Sequence, residues 1–106
     1  MMPYESLDDF LAKLPELALS AREKLKDHQG LYKFQLPERQ YFIRLENGLV
    51  TVEFETEEYP NCIILTDEKQ LMDLINGKTS PMKALLFGKV RVQGDVKPLL
   101  QLSAML

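Results

Sequence analysis

The stretch Leu74–Leu102, LINGKTSPMKALLFGKVRVQGDVKPLLQL, decides the reading of this chain. Leu71, Met72, Leu74 and Ile75 lead into Gly77, which reads as the residue just past a helix end, where a left-handed backbone is needed. Ser80-Pro81 then reads as an N-cap followed by proline at the first helical position. A helix of one to two turns over Met82–Phe87 stops at Gly88. Lys89–Gln93 alternates Lys, Val, Arg, Val, Gln, the period of a half-buried strand. Gly94 makes a turn, Asp95 can cap, and a last helix runs to the end. The order is helix, short helix, strand, helix.

Working upstream, Cys62–Leu65 is a short apolar strand preceded by an acidic loop with Glu57, Glu58, Pro60 and Asn61. Val50, Val52 and Phe54 alternate with Thr51, Glu53 and Glu55, and Tyr41, Ile43 and Leu45 with Arg44 and Glu46. Between these two strands Asn47-Gly48 is a strong hairpin signal. Tyr32, Phe34 and Leu36 make a further strand, joined to the next by a turn at Pro37–Arg39. At the N-terminal end, Ser6 can cap a helix in which Leu7, Phe10, Leu11 and Leu14 share one face. Pro15 should break or kink it near Leu14. A second helical segment, Glu16 to about Lys26, has a weaker stripe of Leu17, Ala21 and Leu25, and Gly30 reads as its stop. The fold class predicted is α+β: a five-stranded, mostly antiparallel sheet, three of its strands in a meander, with one face covered by helices. The chain, 1–106, reads as one domain with no repeat or linker.

Composition excludes several classes of function. Thirteen basic residues against sixteen acidic ones give a net charge of −3, with no basic cluster of the kind that tracks nucleic acid. No apolar run reaches the ~18 residues a membrane span needs. The acidic start MMPYESLDDF lacks a secretory pattern, and one cysteine allows no internal disulfide. These features predict a cytoplasmic protein. Cys62 reads as a small buried hydrophobe in its strand, and the single histidine, His28, has no second ligand near it in sequence, so neither a metal nor a nucleophilic site is expected. Glu53, Glu55, Glu57 and Glu58 read as solvated edge and loop, and no glycine pattern cradles a phosphate. The expectation is a protein with no cofactor, no metal and no catalytic residue.

The last helix is unusually apolar. At 100° per residue, Val96, Leu99, Leu100, Leu102, Ala104 and Leu106 cover roughly 200° of its circumference, where a surface helix needs a stripe of only ~100°. The short helix shares this excess, with Met82, Leu85, Leu86 and Phe87 around Lys83. Met72, Met82 and Met105 add side chains that repack around variable shapes. Ser103 falls within the last helix's apolar face, where its hydroxyl can bond back to the Leu99 carbonyl or meet a ligand or water. Read by themselves, such stripes are core.

Asn76-Gly77-Lys78-x-x-Pro81 followed by Phe87-Gly88-Lys89-Val90-x-Val92-x-Gly94-Asp95 resembles the type-2 sterol carrier protein family. Asn47-Gly48 and Asn61-Cys62-Ile63-Ile64 agree more weakly, and the resemblance covers most of the chain from Gly30 onward. It implies a sheet and C-terminal helices that enclose an apolar tunnel for a fatty acyl, sterol-like or isoprenoid molecule. The strand residues implied to line it are Tyr41, Ile43, Val50, Val52, Val90 and Val92. The helix residues are Leu71, Ile75, Met82, Leu86, Phe87, Leu99, Leu102, Ser103 and Leu106, with Ser103 a polar contact. The expected partner is thus a hydrophobic lipid, with transient membrane contact and a homodimer as further expectations. A non-catalytic scaffold or accessory module of the same fold is the alternative. The chain departs from many relatives in its short Pro37–Arg39 connection and in stopping at Leu106 without a polar tail.

Overall fold

Five strands and four helices, in the order α1 Leu7–Leu19, α2 Arg22–Leu25, β1 Gly30–Gln35, β2 Gln40–Glu46, β3 Leu49–Glu53, β4 Cys62–Leu65, α3 Glu68–Ile75, α4 Pro81–Leu86 and β5 Arg91–Gly94, make up a computed structural model that describes residues 4–95. The sheet order is β3-β2-β1-β4-β5. β1–β2–β3 is the expected antiparallel meander, β4 and β5 are antiparallel, and β1 and β4 run parallel. The parallel pair requires a crossover between distant segments, which no local pattern announces.

Local chemistry sets the element ends. Asn47 and Gly48 both have positive φ, 54° and 79°, the backbone of the tight turn that matches strand twist. Ser6, Asp67 and Ser80 each cap a helix, accepting from the amides of Asp9 (3.0 Å), Gln70 (2.8 Å) and Lys83 (3.2 Å). α3 and α4 end in the same way. Gly77 has φ +74°, the Lys78 amide donates to the Asp73 carbonyl at 2.7 Å, and the Gly77 amide to that of Leu74 at 3.2 Å. Gly88 has φ +69°, with the Lys89 amide donating to Ala84 at 2.9 Å and the Gly88 amide to Leu85 at 3.2 Å. Both are Schellman closures, in which a left-handed residue turns two amides back onto orphan carbonyls.

Four details correct the sequence reading. Pro15 does not end α1, which continues to Leu19. Proline removes the donor for the Leu11 carbonyl, but Leu7, Leu11, Leu14 and Ala18 are buried along one face of the continuous helix, and that burial outweighs the lost bond. The second helical segment is only the single turn α2, with Ala21 and Leu25 buried and Leu17 exposed. Gly30 opens β1 rather than stopping a helix: a Cβ there would lie 2.6 Å from the Tyr32 hydroxyl, so only glycine leaves room for that ring. Lys89 and Val90 belong to the α4 closure, and β5 begins at Arg91 and includes Gly94, whose φ is +102° and whose hypothetical Cβ would meet the Asn61 carbonyl oxygen at 2.4 Å.

Direct partners across the sheet share a face. Tyr32, Phe34, Tyr41, Ile43, Leu45, Val50, Cys62 and Ile64 form one buried cluster with Leu7, Leu11, Leu14 and Ala18 of α1. The opposite face carries Arg44, which donates to Glu53 of β3 and to Glu58 at 3.1 Å. The Asn61 side chain accepts from the Leu31 amide at 2.8 Å, and the Asn61 amide returns a bond to the Leu31 carbonyl. These contacts fix the loop entering β4.

Candidate functional site

The helix-facing side of the sheet gathers most of the predicted lining residues. Tyr41 lies opposite Phe34, their rings stacked 4.9 Å apart at 4°. Ile43 sits between Tyr32 and Val52, Val50 opposite Leu45, and Val92 opposite Ile64. Tyr41, Ile43, Val50, Leu71 and Val90 are buried in the cluster, with Val52, Ile75 and Val92 packed against it. Val90 is placed there by backbone chemistry, since its amide donates to the Ala84 carbonyl at 3.2 Å.

Three predicted residues are not brought to this side. Met82, Leu86 and Phe87 are 60%, 75% and 73% exposed, because α4 packs through Ala84 and Leu85 instead. Leu99, Leu102, Ser103 and Leu106 lie outside the described residues. Phe34, Tyr32 and Ile64 were absent from the predicted lining, although their period-two alternation with Lys33 and Ile63 carries the same signal as Tyr41 and Ile43.

The electrostatics of this side follow from its dryness. No charged or polar residue is buried among the described residues. Burial pushes the Tyr41 phenol well up, only partly opposed by the Arg39 charge, and pushes the Tyr32 phenol up as well. Burial likewise raises the Cys62 thiol, with a smaller contribution from Asp95. These groups stay protonated and neutral near pH 7, so the face offers aromatic and aliphatic contact rather than charge. No group of three or more His, Cys, Asp or Glu among the described residues could hold a metal ion. A separate open depression of about 350 Å³ has Arg44, Glu46, Glu58 and Asn61 in its walls, a polar site unlike the apolar side. No described helix is long and apolar enough to cross a membrane.

Similar folds recur in solved structures. The sterol carrier protein domain 2 of Helicoverpa armigera is 24% identical with a TM-score of 0.79, covering 98% of this chain and 91% of that one. A palmitated SCP2L2 from Aedes aegypti is 14% identical with a TM-score of 0.69, covering 93% and 92%. The inverting sec-alkylsulfatase Pisa1 from Pseudomonas sp. is 19% identical with a TM-score of 0.82 over 93% of this chain, which spans only 16% of that enzyme's length. No curated protein matches the chain. Residues 10–106 match the model of the SCP-2 sterol transfer family, so the chain belongs to that family of lipid-binding and lipid-transfer domains.

Proposed function

We propose that this chain is a cytoplasmic, non-catalytic lipid carrier that holds a fatty acyl, sterol-like or isoprenoid molecule between the sheet and the helices that follow β4. The observation that carries this reading is the uneven burial of one continuous apolar face. On α1, Leu7, Leu11, Leu14 and Ala18 are buried and Phe10 partly so, whereas in the segments after β4 most of the apolar residues that reach the cluster, Met72, Leu74, Ile75, Leu85 and Val92, are only partly buried. Apolar side chains left part-covered beside a sealed core are where a hydrophobic ligand gains most. A fatty acyl chain is the preferred cargo; the palmitated mosquito relative supports that choice.

The energetics suit a carrier. Burying a chain of about sixteen methylenes gives roughly 12 kcal/mol gross. Immobilisation costs about 4 to 15 kcal/mol. At the low end of that cost the net is about 8 kcal/mol, a dissociation constant of micromolar order, which permits release.

Native mass spectrometry of the purified protein, followed by organic extraction, tests the reading. A stoichiometric adduct that extracts as a fatty acid or isoprenoid is expected. Val92→Trp, on the partly buried side of β5, is expected to lower fatty-acid uptake at least about tenfold by filling the space. A clean apo mass with no uptake of added palmitate would sink the carrier reading, and a dimer peak beside it would favour the scaffold alternative.

A further inference from the structure

Between Asp73 and Asp95 the chain has four cations, Lys78, Lys83, Lys89 and Arg91, and no anion, although its net charge is −3. α4 lies in the middle of this interval. Its exposed Met82 and Leu86 are one turn apart, and exposed Phe87 follows at the C-cap. Lys78, Lys83 and Lys89 are all exposed around them, and none enters an ion pair among the described residues. Large apolar side chains ringed by unpaired lysines match the interface of an anionic bilayer, apolar beneath and negative above. α1 is the opposite case. Asp8 and Asp9 fill its first turn, and its Lys13 is tied to Asp9 at 2.7 Å.

We infer that the α4 face, through Met82, Leu86 and Phe87 with Lys78, Lys83 and Lys89, docks this protein on an anionic lipid surface. Docking rests on the carrier reading for its purpose: it brings the part-covered side of the sheet to the membrane from which cargo is drawn. The Schellman closures matter here. Because backbone amides already satisfy the last carbonyls of α3 and α4, the side chains of Lys78 and Lys89 are not needed as caps. The negative remainder of the molecule is repelled by the same surface, so binding is oriented, salt-sensitive and reversible.

Flotation with phosphatidylcholine vesicles containing about 30% phosphatidylglycerol tests this. The wild-type chain is expected to float at low salt, and to do so less with pure phosphatidylcholine or in roughly 0.5 M salt. Each lysine near such a surface is worth roughly fivefold in partition, so K78E/K83E/K89E is expected to lose about a hundredfold or more. Phe87→Ser is expected to lose about tenfold, with its melting temperature and monomeric mass unchanged. Absence of wild-type binding, or binding indifferent to both variants, overturns the inference. So does a lower melting temperature for Phe87→Ser, which would mean that the chain's own residues cover the face. Conversion of a dimer to monomer by Phe87→Ser overturns it as well, since a second copy would then be the occupant. Palmitate uptake from vesicle-free solution keeps the two readings apart: the triple lysine variant is expected to match wild type, and failure of uptake in the wild type would remove the carrier reading while leaving docking in place.

Discussion

The half of the molecule made by α1 with the β1–β3 meander and the half made by α3, α4 and β5 are built from the same residue types and buried to different degrees. In the first, Tyr41, Leu45 and Val50 are at most 3% exposed and Leu7, Leu14 and Ala18 of α1 are 1% exposed, in one cluster with Cys62 and Ile64 of β4. Beside α3 and α4 only Leu71, Ala84 and Val90 are buried among the helix and closure residues, while Met82, Leu86 and Phe87 face outward. The first half closes a core. The second carries apolar surface beyond what the described residues bury, and that is the ground on which the lipid site is proposed there.

The sharpest way to break the comparison is to make matched truncations in the two halves. Leu14→Ala should cost about 2 to 5 kcal/mol, read by urea denaturation, because the packed neighbours of a side chain 1% exposed cannot collapse fully into the gap. A cost below ~1 kcal/mol would mean that the α1 half is no tighter than the other. Gly94→Ala asks whether the second half is loose in its backbone too. Its φ of +102° and a 2.4 Å approach to the Asn61 carbonyl predict a loss of roughly 2 kcal/mol or more. Wild-type stability for that variant would show that the β4–β5 edge yields.

A smaller effect is expected on the outer face of the first half. The Arg44 guanidinium beside Glu53 holds that carboxyl below its ordinary value. Stability from this pair is therefore fully present above the unfolded carboxylate pKa and is lost as pH falls through the lowered folded value. Glu53→Gln should flatten the acid side of a stability–pH profile by less than about 1 kcal/mol, the usual worth of a partly exposed pair. An unchanged acid slope would exclude the pair as a contributor. The smallest effect belongs to Phe87→Ser, within about 0.5 kcal/mol of wild type in urea, since its ring is 73% exposed. A large loss there would erase the contrast between the halves.

The capping serines, the Asn47-Gly48 turn, the two helix-ending glycines and the strand alternation were all legible in the sequence, since each depends on contacts within a few residues. Pro15 was misread because the bond it removes is local, whereas the burial that carries α1 past it comes from the sheet. Gly30 was misread for a related reason: the ring it accommodates belongs to Tyr32, and that close approach is a matter of packing. Tyr41, Ile43, Val50, Val52 and Val92 could be assigned to a common side by their period of two, and the registers place them there.

By itself, then, the sequence determined element types, the capped helix starts, the Asn47-Gly48 turn, the glycine closures and the residues sharing each face, because backbone dihedrals and side-chain periodicity are set over one or two turns. Only the tertiary structure decided the parallel pairing of β1 with β4, the strand order, and which apolar face of α4 meets the core. Helical spacing specifies which residues stand together. Whether a neighbour covers them depends on segments far away in the chain, and that leaves Leu71 and Ala84 inside and Leu86 and Phe87 in solvent.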